Sequence, residues 1–364
     1  MRIRTPSYYR QFRCTASACG ESCCVGWDIC IDPETAGRYR TLPGPLGARL
    51  RREICWQDPP RFRLRPDSRC PFLNADGLCS LILEAGEGAL CEICAEHPRF
   101  HNDYGPLRES GLGLCCEEAA RLILFSTESP LSFDVRETPE AGGPAPEQLD
   151  ALLEARETAL RLACCPAHSM EERFLLLLAL GADVQDRLDE GGSPAEASRP
   201  YREEGFRIRT LEETAASVRP APPDGLLRFW EEQEPLTEEW PLRLGRIRAN
   251  PEGTASCRAR LGAGYAAGCE RIAAYFLFRY LLESAWDGDF LSKIKLAAAG
   301  TLLISLLDAQ TLLETGDLTD RDRIRNAGLF SREAEYSPDA LEAFREACWM
   351  EDFLSFEGLA ALFL

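Results

Sequence analysis

FLSKIKLAAAGTLLISLLDAQTLLE, residues 290–314, is the stretch on which the fold turns. Its apolar side chains recur around a helix instead of alternating as on a strand, so Phe290 to Glu314 reads as a buried helix at the centre of a bundle. The apolar run inside it, Leu296 to Leu307, is interrupted by Gly300, Thr301 and Ser305, and falls short of the roughly 18 residues that cross hydrocarbon. A core helix is therefore expected, and no membrane partner. Upstream, Tyr265 to Glu283 has the same texture and is expected to pack beside it. Leu149, Leu152, Leu153, Leu160, Ala163 and Cys164 share one helical face, with Arg156 the polar interruption. The bend PAPPD, residues 220–224, precedes a short helix through Leu226, Leu227 and Trp230, and a last helix is expected over about Asp339 to Leu354.

No fixed-period repeat and no alternation of strands with helices is present, which excludes solenoids and doubly wound sheets. The first third is different: rich in Pro, Gly and Cys, with Glu117 to Phe125 its clearest helix. The expected fold is mainly α, a loop-rich cysteine/metal module over residues 1–136 followed by an irregular helical bundle domain over 148–364. ETPEAGGPAPE, residues 137–147, is the expected linker, since proline blocks regular structure there and glycine loosens the chain.

The chain has 364 residues with 45% hydrophobic and 27% charged, close to globular averages. Formal charge is −18, which opposes nucleic-acid binding because phosphates call for clustered Lys and Arg. Residues 1–125 hold 16 Arg and 16 acidic residues, so the whole net charge lies in the remainder, a surface suited to a basic partner or simply to solubility. The opening MRIRTPSYYRQFRC has no apolar core of a secretion signal, and the expected location is cytoplasmic.

Cysteine is the unusual component. Of seventeen, twelve precede residue 117, and in a reducing compartment such a density points to metal ligation before disulfides. One group is Cys14-x4-Cys19-x3-Cys23-Cys24. The other runs from Cys70 to Cys79 in CPFLNADGLC, through Cys91 and Cys94 in CEIC, to Cys116. A CxxC places two thiolates on one tight turn, and nine candidate ligands exceed the four that a zinc ion or a cubane iron–sulfur cluster takes, enough for one or two centres. Vicinal pairs point their side chains apart in extended backbone, so Cys23 and Cys24 are not expected to serve one ion. Cys30, Cys55, Cys115, Cys164, Cys165, Cys257, Cys269 and Cys348 read as packed free thiols.

CTASACGESCCVGWDICID from Cys14 to Asp32, CPFLNADGLC, CEIC followed by HPRF, and GLGLCCEEAARLIL together resemble the bacterial flagellin lysine-N-methylase family, whose front part is similar to CxxxCxxCC zinc- or iron-chelating proteins. The resemblance covers about residues 8–125 through motifs and the rest through helical character. It implies methyl transfer from S-adenosylmethionine to lysines of flagellin, and a [4Fe-4S] cluster held by amino-terminal cysteines. The family's Tyr-Pro-Arg is His97-Pro98-Arg99 here, and its Ser-Cys-Pro-Glu is Cys115-Cys116-Glu117-Glu118, in which Cys116 keeps the register.

Methyl transfer to lysine requires a neutral amine, since a protonated one has no lone pair. His97 and His101 are candidate bases or further ligands, against the plain reading of loop histidines, and Arg99 is a candidate for a cofactor carboxylate. No phosphate loop or GxGxxG after a strand occurs, so a Rossmann-type donor site is not expected. Without the resemblance, an iron–sulfur electron carrier or a zinc-binding scaffold fits the same thiols.

Overall fold

The computed structural model describes residues 1–364, the side chain of residue 263 apart. Mainly α architecture is what it shows, with one four-stranded sheet and a two-stranded ribbon that pairs Ile54–Cys55 with Arg61–Phe62. Strands β1 (Arg2–Pro6), β2 (Arg99–Tyr104), β3 (Leu107–Leu112) and β4 (Phe133–Glu137) lie in the order β2-β3-β1-β4. The β2–β3 hairpin pairs Tyr104 with Leu107, β1 runs parallel to β3 with Arg4 opposite Glu109, and β4 closes antiparallel on β1 with Phe133 opposite Pro6. Gly105 turns the hairpin at φ +69°, and a Cβ there would sit 2.2 Å from the Pro144 carbonyl oxygen. Part of the expected linker thus lies on the hairpin turn.

Helix α1 (Glu117–Phe125) matches the expected bounds, with Glu117 and Glu118 in its first turn, where carboxylates suit the macrodipole. Behind it come α2 (Leu149–Ala163), α3 (Met170–Asp189), α4 (Ala263–Tyr280), α5 (Leu291–Thr315), α6 (Asp320–Phe330) and α7 (Pro338–Met350). The last ends four residues before the expected Leu354, because Glu351 turns to extended backbone and a separate turn follows. α5 is the hub, packed by α3, α4, α6 and the helix Pro251–Arg260. Gly300 lets this happen at close range, since a Cβ there would stand 3.0 Å from the rings of Phe276 and Phe330.

By length and composition α5 is apolar enough to cross a membrane, with a mean hydropathy of 1.6 over its best window, so the expectation that no segment qualifies is corrected. The dozen-residue run undercounted it because the flanking turns add further apolar residues, Leu291, Ile294, Ala309, Leu312 and Leu313, between their polar ones. In this fold 83% of that window is buried within the protein. Its polar groups are satisfied there: Lys293 Nζ meets Asp287 at 2.6 Å and Lys295 Nζ donates to the Cys348 carbonyl at 2.7 Å.

Three apolar cores result. The main one joins α2 to α7 and reaches forward to Tyr104, Leu107, Leu114, Ile123 and Leu124, so packing does not change at residues 137–147. A separate small core, from Ile29 to Cys91, holds Tyr39, Phe62 and Phe72. A third gathers Phe12, Leu112, Ala119 and Leu122 against Cys116. Trp230 and Trp240 are fully buried in the main core, where they serve packing.

Candidate functional site

All seventeen cysteines are free thiols. The loop carrying Cys14, Cys19 and Cys23 is pinned to the start of α1 by Glu117, whose carboxylate accepts the N–H of Gly20 at 2.6 Å and of Glu21 at 3.2 Å and meets Cys19 Sγ at 3.6 Å. That brings the loop beside Cys116, the residue capping α1. Burial pushes the Cys116 thiol up to about 11, and the charges of Cys19 and Cys14 add to it. Cys116 and Cys14 likewise act on Cys23, which is raised first by its hydrogen bond with Cys24. One gathering is therefore Cys14, Cys19, Cys23 and Cys116.

Cys24, Cys70, Cys79, Cys91 and Cys94 all pack in the small core. The Cys70 N–H donates to the Cys24 carbonyl at 2.8 Å, and Cys79 and Cys91 each cap a short helix, with Cys94 one turn beyond Cys91. The Cys91 and Cys94 side chains are hydrogen-bonded to each other, which lowers Cys91 and raises Cys94. Cys24 is lowered to about 7, first by its bond to Cys23. The vicinal Cys23 and Cys24 thus face different gatherings, although each shifts the other's thiol. Among the described residues, no three His, Cys, Asp or Glu side chains stand close enough to hold a single metal ion. The nine expected ligands form two neighbourhoods of soft, unbridged thiols, a donor chemistry that suits an iron–sulfur core, with no ready-made shell for one ion.

Between the thiol loop and α6 lies a cleft of about 350 Å³. Gly20, Glu21 and Glu117 form one wall, Arg321, Asp322 and Arg325 the other, and Cys115, Gly328 and Arg332 lie deeper. Glu21 ties the walls together, reaching Arg332 at 2.9 Å and Arg325 at 3.7 Å. Cys115, read from sequence as a packed thiol, is buried, raised to about 12 chiefly by that burial, and hydrogen-bonded to Tyr336.

Tyr336 leads to a buried polar cluster that the sequence reading missed. A π-helical turn, Ser331–Glu335, places Glu335 inside the protein, where Oε1 accepts from Tyr275 at 2.7 Å and Tyr280 at 2.8 Å and pairs with Arg279 at 3.2 Å. Its other oxygen, Oε2, has no partner. The Arg279 guanidinium lies over the rings of Phe100, Tyr280 and Tyr336 at 4.9, 5.0 and 5.2 Å. Trp27 meets the Tyr336 ring edge-on at 5.3 Å and His97 lies 6.3 Å from Trp27, so front and back of the chain share one aromatic seam. A π-turn spends a helical hydrogen bond to re-aim a side chain, and such turns concentrate at functional sites.

Of the three candidate polar residues, His97 falls on this seam. Burial holds its imidazole down to about 4, and Nε2 lies out of solvent without a partner. His101 sits on the edge strand β2, bonded to Ser110 at 2.7 Å and Glu96 at 3.1 Å. Arg99 lies over the Phe12 ring at 5.2 Å, beside the third core.

A second cavity of about 330 Å³ separates α3 from α4 and α5. On its floor Tyr265 donates to Asp308 at 3.0 Å, and Asn326 donates to the same carboxylate at 2.7 Å. Burial raises Asp308 to about 6 against the lowering effects of Asn326, Arg323, Tyr265 and Arg243. Between pH ~4, where the unfolded carboxyl titrates, and pH ~6 the folded protein keeps a proton the unfolded chain has lost, so this group's contribution falls by roughly 1–3 kcal/mol as pH rises. Asp308→Asn is expected to flatten that part of the profile in urea unfolding at about pH 4.5 and pH 7.5. An unchanged slope would mean that Asp308 is ionised throughout.

The fold and the seam define a mainly α protein whose thiol-rich front closes a charged cleft against its carboxy-terminal helices. Residues 264–362, which carry α6 and Glu335, match the FliB lysine N-methylase C-terminal domain. The chain is 30% identical over 133 residues to the flagellar biosynthetic protein FliU of Salmonella muenchen, a match that takes 34% of this chain and 76% of that protein. It is also 30% identical over 133 residues to the lysine-N-methylases of Salmonella typhimurium and Salmonella choleraesuis, 34% of this chain in each case and 32% of each relative, so the match spans about a third of their length. No solved structure matches the chain. The chain belongs to the FliB lysine N-methylase family.

Proposed function

We propose that the protein is a protein-lysine N-methyltransferase that takes methyl from S-adenosylmethionine and acts on flagellin. The observation that carries this reading is the shared cleft: the thiol loop and the family-matched helices are clamped together through Glu21, Arg325 and Arg332. The name of one relative, a flagellar biosynthetic protein, supports a flagellar connection, and the names of two others support a lysine acceptor. Four of Cys24, Cys70, Cys79, Cys91 and Cys94 would hold a [4Fe-4S] cluster, since they share a core small enough to need a staple and lie away from the surface occupied by Cys14 and Cys23. When bound, such a cluster, with one thiolate on each iron, would supply a one-electron couple.

The chain's own groups serve the amine. His97, held neutral by burial, would not repel an ammonium brought to the seam, and the free oxygen of Glu335 would be an acceptor for one of its protons. Anaerobic protein incubated with flagellin and methyl-labelled S-adenosylmethionine is expected to yield label on flagellin lysines, located by peptide mass analysis. Iron-loaded protein that leaves flagellin unlabelled would overturn the assignment.

A further inference from the structure

The cleft holds opposed charges that do not meet. Glu117 Oε2 and Arg321 Nη2 both come within 3.3 Å of the point where a Cβ on Gly20 would lie. Yet the two side chains form no ion pair. Glu117 is held by the backbone N–H groups of Gly20 and Glu21, and among the described residues Arg321 has neither a hydrogen-bond nor an ion-pair partner. Arg325 and Arg332, its cationic neighbours, are already paired with Glu21, and Arg325 with Glu239 at 2.8 Å. One uncommitted guanidinium therefore faces one immobilised carboxylate across a gap kept open by the missing side chain of residue 20. Asp322, fixed by its capping bonds to Thr319, adds a second carboxylate on the far wall.

A phosphate would meet these two carboxylates, and a simple cation would meet the arginines. The ligand that satisfies both walls carries a carboxylate and an ammonium together, which is an α-amino-acid headgroup. Ile324 and Gly328 continue the cleft with less polar surface, and its volume of about 350 Å³ lies within the range of small-molecule sites. We infer that this cleft is the methyl-donor site, with Arg321 taking the carboxylate of the donor's amino-acid headgroup and Glu117 its ammonium. The inference rests on the methyltransferase reading above and locates the donor within it.

The test is calorimetric titration of anaerobically purified full-length protein with S-adenosylhomocysteine and with 5′-methylthioadenosine, which lacks the amino-acid headgroup. Arg321→Ala is expected to weaken S-adenosylhomocysteine by about tenfold or more, the worth of one charge-assisted contact, and to leave 5′-methylthioadenosine unchanged. Gly20→Val, which fills the gap, should reproduce the loss. Both positions are solvent-exposed, and iron and sulfide contents equal to wild type would show that the thiol loop is intact. If wild type labels flagellin but neither variant loses affinity for S-adenosylhomocysteine, the donor lies elsewhere and the methyltransferase reading survives. If wild type binds neither compound and labels no flagellin, both fall.

Discussion

Glu109→Ala is expected to destabilise the protein by about 3–5 kcal/mol, the cost of leaving one member of a buried ion pair uncompensated. Arg156 on α2 donates to Glu109 on β3 through both terminal nitrogens, at 2.5 and 2.6 Å, and the side chains are 1% and 0% exposed. Arg4 on β1 stands 3.8 Å from the same carboxylate, so its removal strands positive charge from two directions. The pair is also the main polar staple between the sheet and the helical bundle, which share one core despite the intervening proline-rich segment. Denaturant midpoints would measure the loss. The double variant Glu109→Leu with Arg156→Met should recover much of it, because apolar groups of similar volume replace buried pairs at little cost. A single-variant loss of about 0.5 kcal/mol, the scale of an ordinary surface change, would show that the pair is hydrated.

Cys91→Ser or Cys94→Ser is expected to abolish most bound iron and to lower the melting temperature, while Cys348→Ser leaves iron unchanged. Cys91 is buried among five thiols in the small core, whereas Cys348 is buried in the main core with no other cysteine in its vicinity. In a satellite core of this size, ligation energy is folding energy, so metal loss and destabilisation should appear together. Iron and sulfide analysis with visible absorbance under anaerobic conditions reads the outcome. Loss of iron from Cys116→Ser in place of Cys91→Ser would move the cluster to the gathering at the cleft. Equal loss in all variants, Cys348→Ser included, would mean that the grouping itself is wrong.

Local chemistry makes much of this legible in the sequence. The helices at the centre of the bundle carry their own signal, because burial on all sides demands apolar residues all round. α1 begins where two glutamates follow Cys116, and PAPPD does precede the helix Asp224–Glu232. The clustering of cysteines into motif-bearing groups was equally visible. Their partition was not: Cys23 and Cys24 are neighbours in sequence but face different gatherings, and only the positions of Cys116 and Cys70 around them separate the two.

The sheet shows the other limit. RIRTP, RFHNDY, LRESGL and FDVRE are short and polar, too brief for the alternation in RIR or FDVR to announce a strand, and the pairing of β1 with β3 joins residues about a hundred positions apart. Of the four, β1 and β3 are the buried ones, and part of their cover is Arg156 of α2 on Glu109, an arrangement no window of local sequence contains. The cleft is the same case, since Glu21 finds Arg332 across 311 positions, and Glu335 becomes a buried acceptor only because a π-turn rotates it inward. Periodicity and spacing record which face of a segment avoids water and which residue types sit together; which charge ends opposite which is a property of the closed chain, where distance in space no longer follows distance along it.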